Sequence, residues 1–140
     1  VAKRLFRHAA GGDKPRPYER IRAASAKGGN TVHLIIGGAH QGKLRYALSL
    51  GYTEADVARS LPTDKPILYG LQALTREDPT LTAAEIPDCI VICDEVGCGV
   101  VPMDYEDRAW RERTGRLLCD LAAQAARVDR VFCGIPMRLK

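Results

Sequence analysis

The segment T-V-H-L-I-I-G-G-A-H-Q-G-K-L-R-Y-A-L-S-L (31–50) constrains the fold more than any other stretch of this chain. Residues 31–36 are apolar and β-branched and close on Gly37-Gly38, which predicts a buried strand. K-L-R-Y-A-L-S-L (43–50) predicts a helix, with Gly51 placed to cap it. Between them, residues 37–44 read G-G-A-H-Q-G-K-L. That fits G-x-x-x-x-G-K up to the last position, where a hydroxyl is expected and Leu44 stands instead. Strand, glycine loop and helix in this order are the context a phosphate-binding loop requires. The glycines let backbone N–H groups turn toward an anion, and the helix N-terminus adds its dipole. Gly37, Gly38, Ala39, His40, Gln41, Gly42, Lys43 and Leu44 are therefore the candidate nucleotide-binding residues, with Lys43 reaching the β- and γ-phosphates. A plain strand–turn–helix corner, with its glycines serving packing, satisfies the same letters.

C-I-V-I-C (89–93) is a second continuous apolar strand, and it ends in Asp94-Glu95. Acids at such a strand tip can hold Mg²⁺ or orient a nucleophile, which makes both residues candidate catalytic and metal ligands. A solvated strand end is the alternative. The pair of features is more specific for a nucleotide-binding fold than either alone. Elsewhere, T-E-A-D opens a short helix over E-A-D-V-A-R-S-L, stopped by Pro62. I-L-Y-G-L-Q-A-L-T-R-E predicts another helix. Tyr105 to about Arg127 predicts a long one, with Trp110, Leu117, Leu118, Leu121, Ala125 and Val128 on one stripe. R-V-F-C-G-I-P predicts a last strand. Strands alternating with helices imply an α/β domain: a mostly parallel sheet with helices on both faces.

The chain has 140 residues with 46% apolar and 27% charged residues, enough for one domain's core. Its net charge of +4 is unevenly placed. Residues 1–30 hold eight Lys/Arg against two Asp/Glu, and residues 31–140 hold thirteen against fifteen. The folded part is thus not basic, which argues against a nucleic-acid partner. Residues 1–30 are expected to be a solvated, mobile extension, and 31–140 the domain. The chain begins with Val and its first Met is Met103, as in a fragment or a chain started at an alternative codon. No apolar run approaches the ~18 residues a membrane helix needs and the first residues show no apolar core of a secretory signal, so the expected compartment is the cytoplasm and no membrane partner is expected. Five cysteines (Cys89, Cys93, Cys98, Cys119, Cys133) in C-x3-C-x4-C and isolated positions match no common zinc pattern; buried reduced thiols are the expectation.

From residue 94 onward the sequence resembles a known family. E-V-G-x-G-V-V-P (Glu95 to Pro102), R-x-W-R (Arg108, Trp110, Arg111), Gly115, Leu121-Ala122 and G-I-P-x-x-x-K (Gly134 to Lys140) resemble the C-terminal half of the bifunctional adenosylcobinamide kinase / adenosylcobinamide-phosphate guanylyltransferases. I-I-G-G-A-H-Q-G-K resembles that family's opening G-G-x-x-S-G-K-S. The resemblance implies a P-loop NTPase-like, RecA-like fold, ATP or GTP with Mg²⁺ as cofactors, and a corrinoid (cobinamide) phosphorylated in cobalamin assembly or salvage. It also implies a homo-oligomer, a trimer. It raises Arg108 and Arg111 to candidate catalytic residues that neutralise phosphate charge, against solvated helix charges. Asp104, Glu106 and Asp107 read as helix caps.

The departures narrow this. The family's guanylylation uses a His between the loop and mid-chain, yet the only histidines are His8, His33 and His40. The loop Ser is Leu44, the Asn-Gln pair expected after Gly115 is Leu118-Cys119, and the segment between loop and E-V-G strand is short. His40 can donate to phosphate or stand incidentally in a turn, and His33 reads as packing in its strand. Three functions remain: a shortened cobinamide-kinase-like phosphotransferase without the guanylyl step, a catalytically degenerate nucleotide-binding regulator or scaffold, or another small-molecule P-loop kinase.

Overall fold

A computed structural model describes residues 31–140; the mobile extension expected over residues 1–30 lies outside them. Strand β1 (His33–Gly37) is followed by the glycine loop and helix α1 (Lys43–Ser49). Then come β2 (Val57–Ala58), β3 (Ile67–Tyr69), α2 (Leu71–Glu77), β4 (Ile90–Asp94), α3 (Tyr105–Gln124), β5 (Arg127–Phe132) and β6 (Ile135–Arg138). The six strands form one sheet in the order β2-β3-β4-β1-β5-β6. All neighbours are parallel except β5 and β6, which are antiparallel.

Alternation along the strands sorts the core onto two faces, because successive side chains point to opposite sides. Leu34, Val91, Cys93 and Val128 pack with Leu71, Leu74, Leu117 and Leu121, so α2 and α3 cover one face. Ile35, Ile90, Ile92 and Val131 pack with Ala47 and Tyr52, so α1 covers the other. The expected sheet with helices on both faces is the fold observed. Helices α2 and α3 are tied by a Thr75–Thr114 hydroxyl pair at 2.6 Å and by Arg76, which lies over the Trp110 ring at 4.2 Å.

Three local expectations are corrected. E-A-D-V-A-R-S-L is not a helix: the Thr53–Asp56 capping box closes one 3-10 turn (Glu54–Asp56), after which Val57-Ala58 extend along β3. I-L-Y-G-L-Q-A-L-T-R-E is not one helix: Ile67–Tyr69 are a strand between β2 and β4, and Gly70 (φ 84°) turns the chain into α2. R-V-F-C-G-I-P is not one strand but the end of β5, a Cys133-Gly134 turn and the start of β6. In each case backbone partners distant in sequence override the local pattern. The expectation for the cysteines holds for two of five: Cys89 and Cys93 are buried, whereas Cys98, Cys119 and Cys133 are exposed, and all five are free.

The chain runs from β1 to one side of the sheet, returns through β3 and β4, and crosses β1 to reach β5. The order therefore reverses at β1, and ligands of open α/β sheets bind outside the carboxyl ends of strands at such a point. Those ends here are Gly37 on β1 and Asp94 on β4, directly opposite each other.

Candidate functional site

Gly37 is required by its surroundings. It lies at φ 152°, and a Cβ there would sit 2.4 Å from the Val131 carbonyl oxygen on β5. The loop beyond it turns through His40 (φ 58°) and Gly42 (φ 88°) into α1. The hairpin turn of β5–β6 leans on this loop. The Cys133 N–H donates to Gln41 Oε1 (2.6 Å), the Gly134 N–H donates to the Gln41 carbonyl (2.9 Å), and a Cβ on Gly42 would meet Gly134 Cα at 3.4 Å. The loop is thus held from behind by residues more than ninety positions later.

Lys43 is 4% exposed, and its ammonium is held between the Gly38 carbonyl (2.5 Å) and Asp94 Oδ1 (2.7 Å). A buried cation needs such partners, since desolvation of an unpaired charge is costly. Both partners belong to the loop and the strand tip, so the ammonium stands at the mouth of a cleft of about 310 Å³. Ala39, His40, Gln41, Gly42, Lys43, Leu44, Arg45, Tyr69 and Asp94 line it. The volume lies at the lower end of the roughly 300–1,000 Å³ of small-molecule sites and suits a phosphate chain. Asp94 is oriented further by its own N–H, which donates to Gln72 Oε1 (3.1 Å); the Gln72 carbonyl in turn accepts from Trp110 Nε1 (2.8 Å). Leu44 touches the cleft but packs against the apolar cluster of Ile35, Ala47 and Tyr52.

Glu95 prolongs the β1–β4 ladder, its N–H donating to the Gly37 carbonyl (2.9 Å). Its carboxylate accepts from Arg130 Nε on β5 (3.0 Å). Lys43–Asp94 and Arg130–Glu95 are therefore two ion pairs at one strand tip, directed to opposite faces of the sheet by the alternation along β4, and of the four residues only Lys43 and Asp94 line the cleft. Arg108 and Arg111 are placed differently. Arg108 donates to the Pro102 carbonyl (3.1 Å) and to that of Met103, and Arg111 to the Val100 carbonyl (3.1 Å) and to that of Gly97. Neither lines the cleft. The R-x-W-R and E-V-G-x-G-V-V-P motifs are thus one unit in space, the first clamping the second. Asp104 caps α3, accepting from the Asp107 N–H (3.1 Å). Glu106 lies beside it in the first turn, and Asp107 pairs with Arg76 at 2.5 Å.

This geometry joins residues of the C-terminal half to the loop, and that half carries a recognisable family pattern. The family described as CobU, cobinamide kinase / cobinamide phosphate guanyltransferase, matches residues 70–139, half of the chain. The chain belongs to that family. The match takes in Gln72, Asp94, Glu95, Trp110 and the hairpin, whereas the loop residues 37–44 precede it. CobU proteins, by that description, carry out nucleotide-dependent transfers onto cobinamide and its phosphate. No curated protein matches the chain. Among the described residues no helix is long and apolar enough to cross a membrane.

Sequence reasoning missed Arg130 and a polar network under α1. Asp129 is 1% exposed, and its Oδ2 accepts from His33 Nε2 (2.7 Å), the Tyr46 hydroxyl (2.7 Å) and Arg127 Nε (2.8 Å). Burial alone would raise the Asp129 pKa, but the hydrogen bonds from Tyr46, His33 and Arg127 hold it below the ordinary carboxylate range. Burial pushes the His33 pKa down, against the pull of Asp129. His33 is therefore not simple packing; it is one donor of this network, which fastens the helix after the loop to β5. The signal available in sequence was the charged pair Arg127 and Asp129 within an apolar strand pattern. Burial also pushes Cys93, just before Asp94, up to about 12, so its thiol is inert.

Proposed function

We propose that this CobU-family chain binds ATP or GTP on the 37–44 loop and phosphorylates a cobinamide-type alcohol, without the His-dependent guanylyl step, in a cytoplasmic route of cobalamin assembly or salvage. The observation that carries it is Lys43, buried at the loop and poised between the Gly38 carbonyl and Asp94. An incoming phosphate replaces these acceptors and keeps the cation paired. The cobinamide acceptor follows from the family description.

Mg²⁺ fits the donor set. It binds through one or two carboxylates together with substrate phosphates and water; Asp94, which lines the cleft, would supply one once Lys43 turns to phosphate, and Glu95 next to it is the second candidate. When bound, the metal neutralises charge between the phosphates. This chain's own work is to hold the phosphates on loop N–H groups, to hold them with Lys43, and to orient Asp94 through Gln72. No protein hydroxyl at position 44 joins the metal.

Replacing Lys43 with Ala removes a charge-assisted contact of roughly 1.5–3 kcal/mol, so affinity for ATP or GTP falls about 10- to 150-fold. Single-turnover transfer from labelled ATP and GTP to cobinamide tests the reaction. Unchanged nucleotide affinity in Lys43→Ala reduces the loop to a structural corner. A second reading, a binding protein that has lost catalysis, is favoured by Leu44 packing into the apolar cluster. Binding without any transfer to cobinamide selects it.

A further inference from the structure

Three polar side chains that line the cleft already have partners: Gln41 holds the hairpin turn, and Lys43 and Asp94 hold each other. Two on its far wall do not. The Arg45 guanidinium and the Tyr69 hydroxyl line the same cleft, and neither has a hydrogen bond or ion pair among the described residues. Arg45 is exposed, whereas the Tyr69 ring is half-buried against the apolar cluster of Ile67 and Ile92. Arg59, just after β2, lies over that ring with its guanidinium 4.9 Å from the centroid. This cation–π contact fixes the ring and leaves its hydroxyl unbonded. No carboxylate pairs with Arg45 or Arg59 among the described residues, so the wall carries two uncompensated positive charges. A planar fork of N–H donors beside a phenol hydroxyl suits an anionic oxygen ligand.

The sheet separates this wall from the glycine loop. The strand order runs β3-β4-β1, so Tyr69 stands two strands from the loop strand, roughly 10 Å away, with Asp94 on β4 between them. Arg45 leaves α1 about 200° around the helix from Lys43, so the two cations enter the cleft from different sides of that helix. Phosphoryl transfer sets the leaving and attacking oxygens roughly in line with the phosphorus. With the nucleotide phosphates on the loop and Lys43, the leaving side is β1. The attacking alcohol then approaches from the β3 side, where Arg45 and Tyr69 stand.

We propose that Arg45 and Tyr69 form a subsite for a phosphate monoester on the acceptor, so that this chain holds the phosphorylated acceptor more tightly than the free alcohol. The inference deepens the phosphotransferase reading and rests on it. The transfer joins the phosphoryl group to the alcohol oxygen, frees the nucleoside diphosphate and releases the alcohol's proton to water. The new ester carries a charge of about −1.5 to −2 at neutral pH, which the alcohol lacked. The Arg45 fork takes two of its oxygens, the Tyr69 hydroxyl donates to the third, and Arg59 keeps the ring in place.

The test is calorimetric titration of the whole chain, with and without saturating ADP, using cobinamide, cobinamide phosphate and inorganic phosphate. The parent binds cobinamide phosphate about tenfold more tightly than cobinamide. Arg45→Ala removes one charge-assisted contact and lowers affinity for the ester about tenfold, leaving that for cobinamide and for ADP within about twofold. Arg45→Lys, which keeps the charge but loses the fork, falls between. Tyr69→Phe keeps the ring under Arg59 and lowers ester affinity several-fold, and equal thermal unfolding of the variants shows that the fold is intact. Equal losses for ester and alcohol, no loss for either, or an equal loss for ADP overturn the proposal. Inorganic phosphate binding as tightly as the ester makes the wall a general anion site and overturns it too. Lys43→Ala separates the two levels. If it weakens ADP binding while Arg45→Ala changes neither acceptor form, the loop binds nucleotide and only the subsite falls. If the parent binds no nucleotide yet holds the ester through Arg45, the subsite stands and the phosphotransferase reading falls. If it binds neither, both fall together.

Discussion

Tyr46→Phe removes one oxygen from the best-buried polar network of the protein, and its cost follows from the contacts. The hydroxyl donates to Asp129 Oδ2 at 2.7 Å and accepts from Arg127 Nη2 at 2.8 Å. Asp129 is 1% exposed, so water cannot replace the lost donor. Its other oxygen, Oδ1, already has no hydrogen bond, with Arg138 Nε standing off at 3.9 Å. A carboxylate in this state has no surplus of donors to redistribute. Loss of one hydrogen bond to a charged group costs about 1.5–3 kcal/mol. Arg127 is partly exposed and recovers its lost partner from solvent, so it adds little. For a domain of this size the loss lowers the unfolding midpoint by roughly 6–15 °C. Urea unfolding followed by circular dichroism is the assay, with the slope against urea unchanged. A loss below about 0.5 kcal/mol at constant slope would refute the reasoning, since it would mean that Asp129 is satisfied without Tyr46.

Leu44→Ser restores a hydroxyl beside the cleft and should make nucleotide binding more dependent on Mg²⁺, read by titration with and without EDTA; unchanged dependence means that position 44 does not face the metal. Gln41→Met keeps the volume but removes the acceptor for the Cys133 N–H, so hydrogen exchange of peptides covering 37–44 should quicken and nucleotide affinity fall several-fold, whereas unaltered exchange would mean the hairpin does not hold the loop. Stability should decline as pH is lowered below about 6.5. The sign follows from His33, whose folded pKa is depressed by burial: the unfolded chain takes up the proton first, so stability is full above the unfolded value and is lost as pH falls toward the folded one. Thermal midpoints of the parent and His33→Gln between pH 5 and 8 check this, and an equal slope in both proteins would assign the loss to other groups.

Much of the architecture was legible in the sequence where elements are long or doubly flanked. β1 and β4 are continuous apolar runs because both their faces are buried, and α3 is long enough for its stripe to declare itself. The edge was not legible. Ile67–Tyr69 form a three-residue strand whose side chains also fit a helical spacing with Leu71 and Leu74, and only backbone pairing to β2 and β4 decides between the two. For the site, the loop and Asp94-Glu95 could be named from the pattern, because glycine turns and acidic strand tips have local chemical causes. Arg130 could not. Its pairing with Glu95 depends on β5 lying next to β1, and that adjacency is set by a crossover rather than by neighbouring residues. Arg108 and Arg111 show the converse: a motif made them conspicuous, yet the present structure has them clamping a loop.

The turn at Cys133-Gly134 has a consequence for how the protein is made. Ribosomal synthesis delivers the glycine loop long before the hairpin that braces it, and contacts between such distant parts of a chain form late. Residues 37–42 therefore emerge without their brace, beside a β1 that still lacks β4 on one side and β5 on the other. A nascent chain of this kind has the letters of a phosphate loop but none of its shape. If the loop holds nucleotide as proposed, that competence waits for β5 and β6 to join the sheet, so ligand binding would report the arrival of the bracing hairpin.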